Sequence, residues 1–142
     1  MTTAATPRVS TARAAVVLVI ACAVAILVNT VVAVAAVALG APTSYGPLTF
    51  PAYATFSVLG IAVGWVGWRV VRARARDPRR TLARLVPVVA VLSFVPDVVL
   101  LATGFIPGTR PAAVVALMIM HVVVLACAVP AYALLSPVPA RP

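Results

Sequence analysis

Four long apolar runs, separated by short connectors, set the pattern of this chain. The first extends from Ala14 to Leu39, 26 residues interrupted only by Cys22, Asn29 and Thr30. At about 1.5 Å per residue, a helix of that length exceeds the roughly 30 Å hydrocarbon core of a bilayer and must tilt or protrude. The second run spans about Ala52 to Val70, the third Leu82 to Thr103 and the fourth Pro111 to Leu135. Each is close to the roughly 20 apolar residues that a transmembrane helix requires. The pattern predicts an all-α fold, an integral membrane four-helix bundle with spans at 14–39, 52–70, 82–103 and 111–135. Residues 1–13 are expected to be a disordered tail, and residues 136–142 a short proline-rich tail.

A secretory signal competes for the first run, because basic residues precede it and Ala36-Val37-Ala38 resembles a cleavage site. A signal's apolar region is typically about 7–15 residues, so the longer run is taken as a span.

The connectors differ in kind. Gly40 to Phe50, GAPTSYGPLTF, is turn-rich and uncharged, with Tyr45 and Phe50 expected at the outer interface. Gly104 to Arg110, GFIPGTR, is a short outer turn before Pro111, which suits the first position of a helix. Within the third run Pro87 sits in the first turns, but Pro96 is deeper. It frees the carbonyl of Leu92 and disfavours helical geometry at Val95, so a kink is expected there.

The connector between the second and third runs carries the charge. From Trp68 to Arg84 the chain reads WRVVRARARDPRRTLAR, with Arg69, Arg72, Arg74, Arg76, Arg79, Arg80 and Arg84 against a single acid, Asp77. An arginine at the bilayer centre costs roughly 2.5–3.5 kcal/mol on insertion scales, so this block lies outside the hydrocarbon. The positive-inside rule puts it in the cytoplasm, with Trp65 and Trp68 in the inner aromatic belt. Both termini are then cytoplasmic, leaving ten arginines inside and only Arg110 outside.

Composition agrees. Of 142 residues 64% are apolar and 9% charged, with a mean hydropathy of +1.18, which excludes a water-soluble surface of ordinary make-up. In a soluble protein a net charge of +9 would suggest nucleic acid. Here topology accounts for the charge, so no nucleic-acid partner is expected. The arginine block should instead attract anionic lipid headgroups, at about 1 kcal/mol per residue near the surface.

Few residues offer chemistry. Asn29, Asp97 and His121 are polar side chains at membrane depth. Counted from the outer ends of their spans, Asn29 and His121 lie level, with Asp97 about one turn nearer the outside. The short connector makes the third and fourth spans antiparallel neighbours, so Asp97 and His121 can pair, with Asn29 completing a buried cluster. That cluster is either a proton-handling or ligand site, or interhelical glue worth on average about 0.6 kcal/mol per hydrogen bond. A third course has Asp97 reach the outer interface.

Ser57, Gly60, Gly64 and Gly67 recur at spacings of three and four, a small-residue face for close packing within the chain or along a homodimer seam. One histidine without nearby Cys or Glu gives no metal site, and no cofactor motif occurs. Cys22 and Cys127 are expected to be small buried hydrophobes, and neither Ser57 nor Ser93 has a nucleophile's context. Met118 and Met120 flank His121 on different helix faces and suit core or lipid contact.

Asn29 in the first span, Met120-His121 followed by Pro130 in the last, and the arginine-rich central connector carry a likeness. Over about Arg13 to Leu135 the chain resembles an uncharacterised family of small four-span membrane proteins from high-GC Gram-positive bacteria. The resemblance implies topology and no reaction; eleven arginines without a lysine fit such a source. The expected role is therefore non-enzymatic, an accessory or interaction subunit of the bacterial cytoplasmic membrane, with a homo-oligomer or another membrane protein as partner. The alternative is a small proton-coupled transporter or permease subunit that uses Asn29, Asp97 and His121.

Overall fold

The computed structural model describes residues 10–138. Among them the chain forms five α-helices and no strand: α1 (Thr11–Ala38), α2 (Phe50–Arg74), α3 (Pro78–Ser93), α4 (Val95–Thr103) and α5 (Pro111–Leu135). A 3-10 turn at Gly46–Leu48 interrupts the first connector. With α3 and α4 taken as one segment, Pro78–Thr103, four segments are long and apolar enough to cross a membrane. The protein is an all-α chain built for a bilayer.

Local chemistry sets the helix ends. Ser10 caps α1, its hydroxyl oxygen accepting from the Arg13 amide at 3.2 Å. Helix α1 therefore starts at Thr11, and the expected disordered tail of residues 1–13 is corrected for its last three residues; Arg8 lies outside the described residues. At the other end Gly40 takes φ +96°, open to glycine at no steric cost. The amides of Gly40 and Ala41 then close back on Val37 and Ala36, the bond pair of a Schellman motif. Asp77 caps α3 by accepting from the Arg80 amide at 3.1 Å, and Pro78 fills the first helical position. The single acid of the arginine block thus has a structural task, starting α3.

The kink expected at Pro96 is a full break. Proline offers no amide to Leu92, and the Phe94 amide turns back to Val91 at 3.2 Å. The ladder resumes when the Val98 amide bonds Phe94 at 3.0 Å. A helix N-terminus, that of α4, consequently lies inside the membrane-spanning segment.

Packing centres on α1 against α5, with α2 beside both. The buried positions of α1 are Ala21, Ala25, Asn29, Ala33 and Ala36, spaced by three or four. Small side chains in one stripe let the two backbones approach closely, which drives association where lipid offers no hydrophobic gain. Two buried clusters result. One, beneath the first connector, gathers Ala33, Tyr45, Tyr53, Ala113, Leu117 and Met120. The other, at the arginine end, gathers Ala21, Ile61, Trp68, Leu82, Ala128 and Tyr132. Along α3 and α4 only Leu82 and Asp97 are buried.

Three placements differ from expectation. Tyr45 is buried rather than interfacial, because its connector folds back over the helix ends and its hydroxyl lies 3.3 Å from that of Thr109. Trp68 is buried too, its indole N–H donating to the Ser136 carbonyl at 3.2 Å. Arg72 donates to the carbonyl of Pro137, so residues 136–138 are tied to the end of α2. Arg141 and the rest of that tail lie outside the described residues.

Candidate functional site

The three polar residues at membrane depth do not form one cluster. Among the described residues they fall into two pairs on different seams of the bundle.

The first pair joins α1 to α2. Asn29 sits in the alanine stripe of α1, and its Nδ2 donates to Ser57 Oγ at 3.0 Å. Both residues are buried, and Asn29 Oδ1 has no hydrogen-bond partner. The next residue, Thr30, donates to the Ile26 carbonyl at 2.8 Å and lies 2.9 Å from Tyr53 Oη. With the threonine proton committed to the carbonyl, Tyr53 is the donor of that second bond. Asn29 is thus corrected from a partner of Asp97 to a partner of Ser57. Position along a span does not fix the side of the helix on which a residue points.

The second pair joins α4 to α5. Asp97 Oδ2 lies 3.3 Å from His121 Nδ1, and the same nitrogen is 2.8 Å from the Leu117 carbonyl one turn back. The hydrogen bond of Nδ1 is to the Leu117 carbonyl, and Asp97 Oδ2 is buried without a hydrogen-bond partner. The Asp97 side chain is 4% exposed and that of His121 is 39% exposed. Phe94 stacks edge-on to the imidazole with ring centroids 6.3 Å apart. Asp97 is turned inward against α5 rather than out toward an interface.

The helix break explains why an acid is tolerated there. Asp97 is in the first turn of α4, where unpaired amides and the aligned peptide dipoles favour negative charge by about 0.3–1 kcal/mol. Pro96 creates that N-terminus, Asp97 occupies it and His121 faces it. The arrangement can hold a proton between a carboxylate and an imidazole. Among the described residues no group of three or more His, Cys, Asp or Glu side chains could hold a metal ion.

The small-residue face of α2 is divided as well. Gly60 approaches Val124 of α5 at an ordinary 3.5 Å, measured from where a Cβ would sit. A Cβ on Gly64 would lie 2.6 Å from Tyr132 Oη. That hydroxyl donates to the Ile61 carbonyl, so the missing side chain leaves room for a bond between α5 and α2. Gly67 has nothing within 4 Å of a built Cβ and is corrected from a packing residue to an outward-facing one. Gly64 thus packs within the chain against Tyr132, and Gly60 touches Val124 while staying exposed.

The arginines also separate by role. Arg72 is held by Pro137, and Arg80 lies 3.5 Å from Asp77, whereas the Arg69 guanidinium lies over the Trp65 ring at 5.9 Å. Arg72 is thus tied to the chain's own tail at one of its nitrogens. Arg69, Arg74, Arg76, Arg79, Arg80 and Arg84 are exposed at one end of the bundle. Cys22 and Cys127 are free thiols, partly buried in the cluster at that end.

The alanine stripe of α1 and the Tyr132 bond went unread in the sequence. The stripe had one signal, alanines at fourth-residue intervals on either side of Asn29.

Neither curated proteins nor solved structures give a match to this chain. A protein-family model does match, over residues 8–136. That span takes in all four apolar segments and both polar pairs, and the chain belongs to the family described as a family of unknown function (DUF6069).

Proposed function

We propose that this protein is a non-enzymatic accessory or interaction subunit of a bacterial cytoplasmic membrane, docking a neighbouring membrane protein along the α4–α5 seam. One observation carries the reading. His121 lies ten residues into α5, about 15 Å along the helix, and its ring is 39% exposed on the outside of the bundle. A polar ring edge facing hydrocarbon at that depth is unfavourable, whereas a protein neighbour can satisfy it. The sparse burial of α3 and α4 leaves the same flank available.

Orientation follows from charge. Arg13 and the seven arginines from Arg69 to Arg84 share one end of the bundle, against Arg110 at the other. The positive-inside rule assigns that end and both termini to the cytoplasm, where its exposed arginines meet anionic headgroups.

The test is assembly size after mild detergent extraction of native membranes. The wild-type chain should run in a species well above its own 14.6 kDa plus detergent, and His121→Leu should release it, with a melting profile run alongside to show that the chain still folds. A wild-type chain that runs alone, or an assembly indifferent to His121→Leu, overturns the docking role.

A second reading has its own observation. The break at Phe94 presents a helix N-terminus inside the bilayer beside a buried acid, an arrangement that transporters use at ion and substrate sites. On this reading the Asp97–His121 pair passes a proton, and reconstituted vesicles should show flux that both Asp97→Asn and His121→Ala abolish.

A further inference from the structure

We propose that the groove between α3 and α5 at the arginine end binds one anionic phospholipid, with Arg79 on its phosphate and Ala83, Val86, Pro87 and Val129 along an acyl chain. Apart from Arg79, every residue lining this groove is apolar. Arg79, Ala83, Val86 and Pro87 fall at spacings of four, three and one along α3, so they share one helix face. Arg79 is the second residue of that helix, at the boundary of the membrane-spanning segment. From Arg79 to Pro87 the stripe runs about 12 Å, passing from a cation to hydrocarbon in the order in which a phospholipid passes from phosphate to acyl chain.

Side-chain size shapes the recess. Ala83 is the small residue of the stripe, with buried Leu82 beside it. Trp68 closes one end, and its indole N–H is already taken by the Ser136 carbonyl, so the ring has only an apolar surface to offer. An apolar groove within a membrane-spanning segment is filled by hydrocarbon rather than water. Charge decides which hydrocarbon-bearing molecule fits. A second copy of the chain would bring its own arginine end against this one, whereas an anionic headgroup complements it. The inference rests on the bilayer placement of the arginine end and not on the docking role proposed for the α4–α5 seam.

The experiment is native mass spectrometry of the full chain with phosphatidylglycerol or phosphatidylcholine carrying matched acyl chains. Phosphatidylglycerol should give a discrete one-lipid adduct, favoured over phosphatidylcholine. Arg79→Gln should weaken it about fivefold and remove the headgroup preference, while Arg74→Gln, on an exposed arginine outside the groove, should leave both unchanged. Ala83→Trp should displace both lipids by filling the recess; circular dichroism checks its fold, and if that variant fails to fold the Arg79 and Arg74 pair decides alone. Equal binding of the two lipids, equal effects of the two arginine variants, or wild-type adducts on a folded Ala83→Trp chain would each overturn the proposal. Reporter fusions test the bilayer placement separately, so its failure would be told apart from loss of this site.

Discussion

Asp97 and His121 meet across the α4–α5 seam at 3.3 Å, the carboxylate enclosed and the imidazole open to the outside of the bundle. Their union depends on Pro96, which ends one helix and gives Asp97 the first turn of the next. Asp97→Asn keeps the shape of that side chain and offers His121 an amide with both donor and acceptor atoms. It surrenders an interaction with the helix dipole of about 0.3–1 kcal/mol, and it also relieves the desolvation of a buried charge. The melting profile in detergent should therefore move by no more than about 1 kcal/mol equivalent, and docking should persist. A variant that cannot fold would mean that the ion pair itself holds α4 to α5.

Gly64 and Gly67 should respond to alanine with opposite signs. At Gly64 the new methyl meets Tyr132 Oη at 2.6 Å and forces the tyrosine off the Ile61 carbonyl. Overpacking of this kind costs typically about 1–3 kcal/mol, to which loss of the hydrogen bond adds. At Gly67 the methyl meets nothing within 4 Å, and removing a mid-helix glycine favours the helix by up to about 1 kcal/mol. Thermal melting of the two variants side by side checks this. A Gly67→Ala loss as large as that of Gly64→Ala would point to an unseen neighbour on the outer face of α2.

Topology is tested by reporter fusions. Fusions after Arg76 should be active only with a cytoplasmic reporter, and fusions at Tyr45 only with an external one. The opposite result at Tyr45 would invert the orientation and move the arginine end outside.

Much of the fold was legible because one-dimensional signals set it. Run lengths mark four spans, although the Asp77-Pro78 cap that starts α3 went unread and the apolar pattern begins the third span only at Leu82. Pro96 announces the break by the amide it lacks. What could not be read was azimuth. Asn29 and His121 are each ten residues from the outer end of their runs, yet Asn29 points to Ser57 of α2 while His121 opens outward beside α4. Residue type misled at the connectors, where an aromatic beside a span ordinarily rests in the interface. Tyr45 instead caps the bundle because its connector folds inward. The alanine stripe of α1 was obscured by composition, since alanine occurs on every face of that helix and only burial tells one face from another.

The claim that a neighbouring protein covers the α4–α5 seam is tested most directly by photocrosslinking in native membranes. Leu101 lies four residues beyond Asp97, on the same face of α4, and is exposed at the rim of the seam. Benzoylphenylalanine in its place should give a discrete protein adduct on illumination, and the same group at Val63, exposed on α2, should give only lipid adducts. Lipid adducts alone at both positions would show that His121 faces the bilayer and would contradict the account.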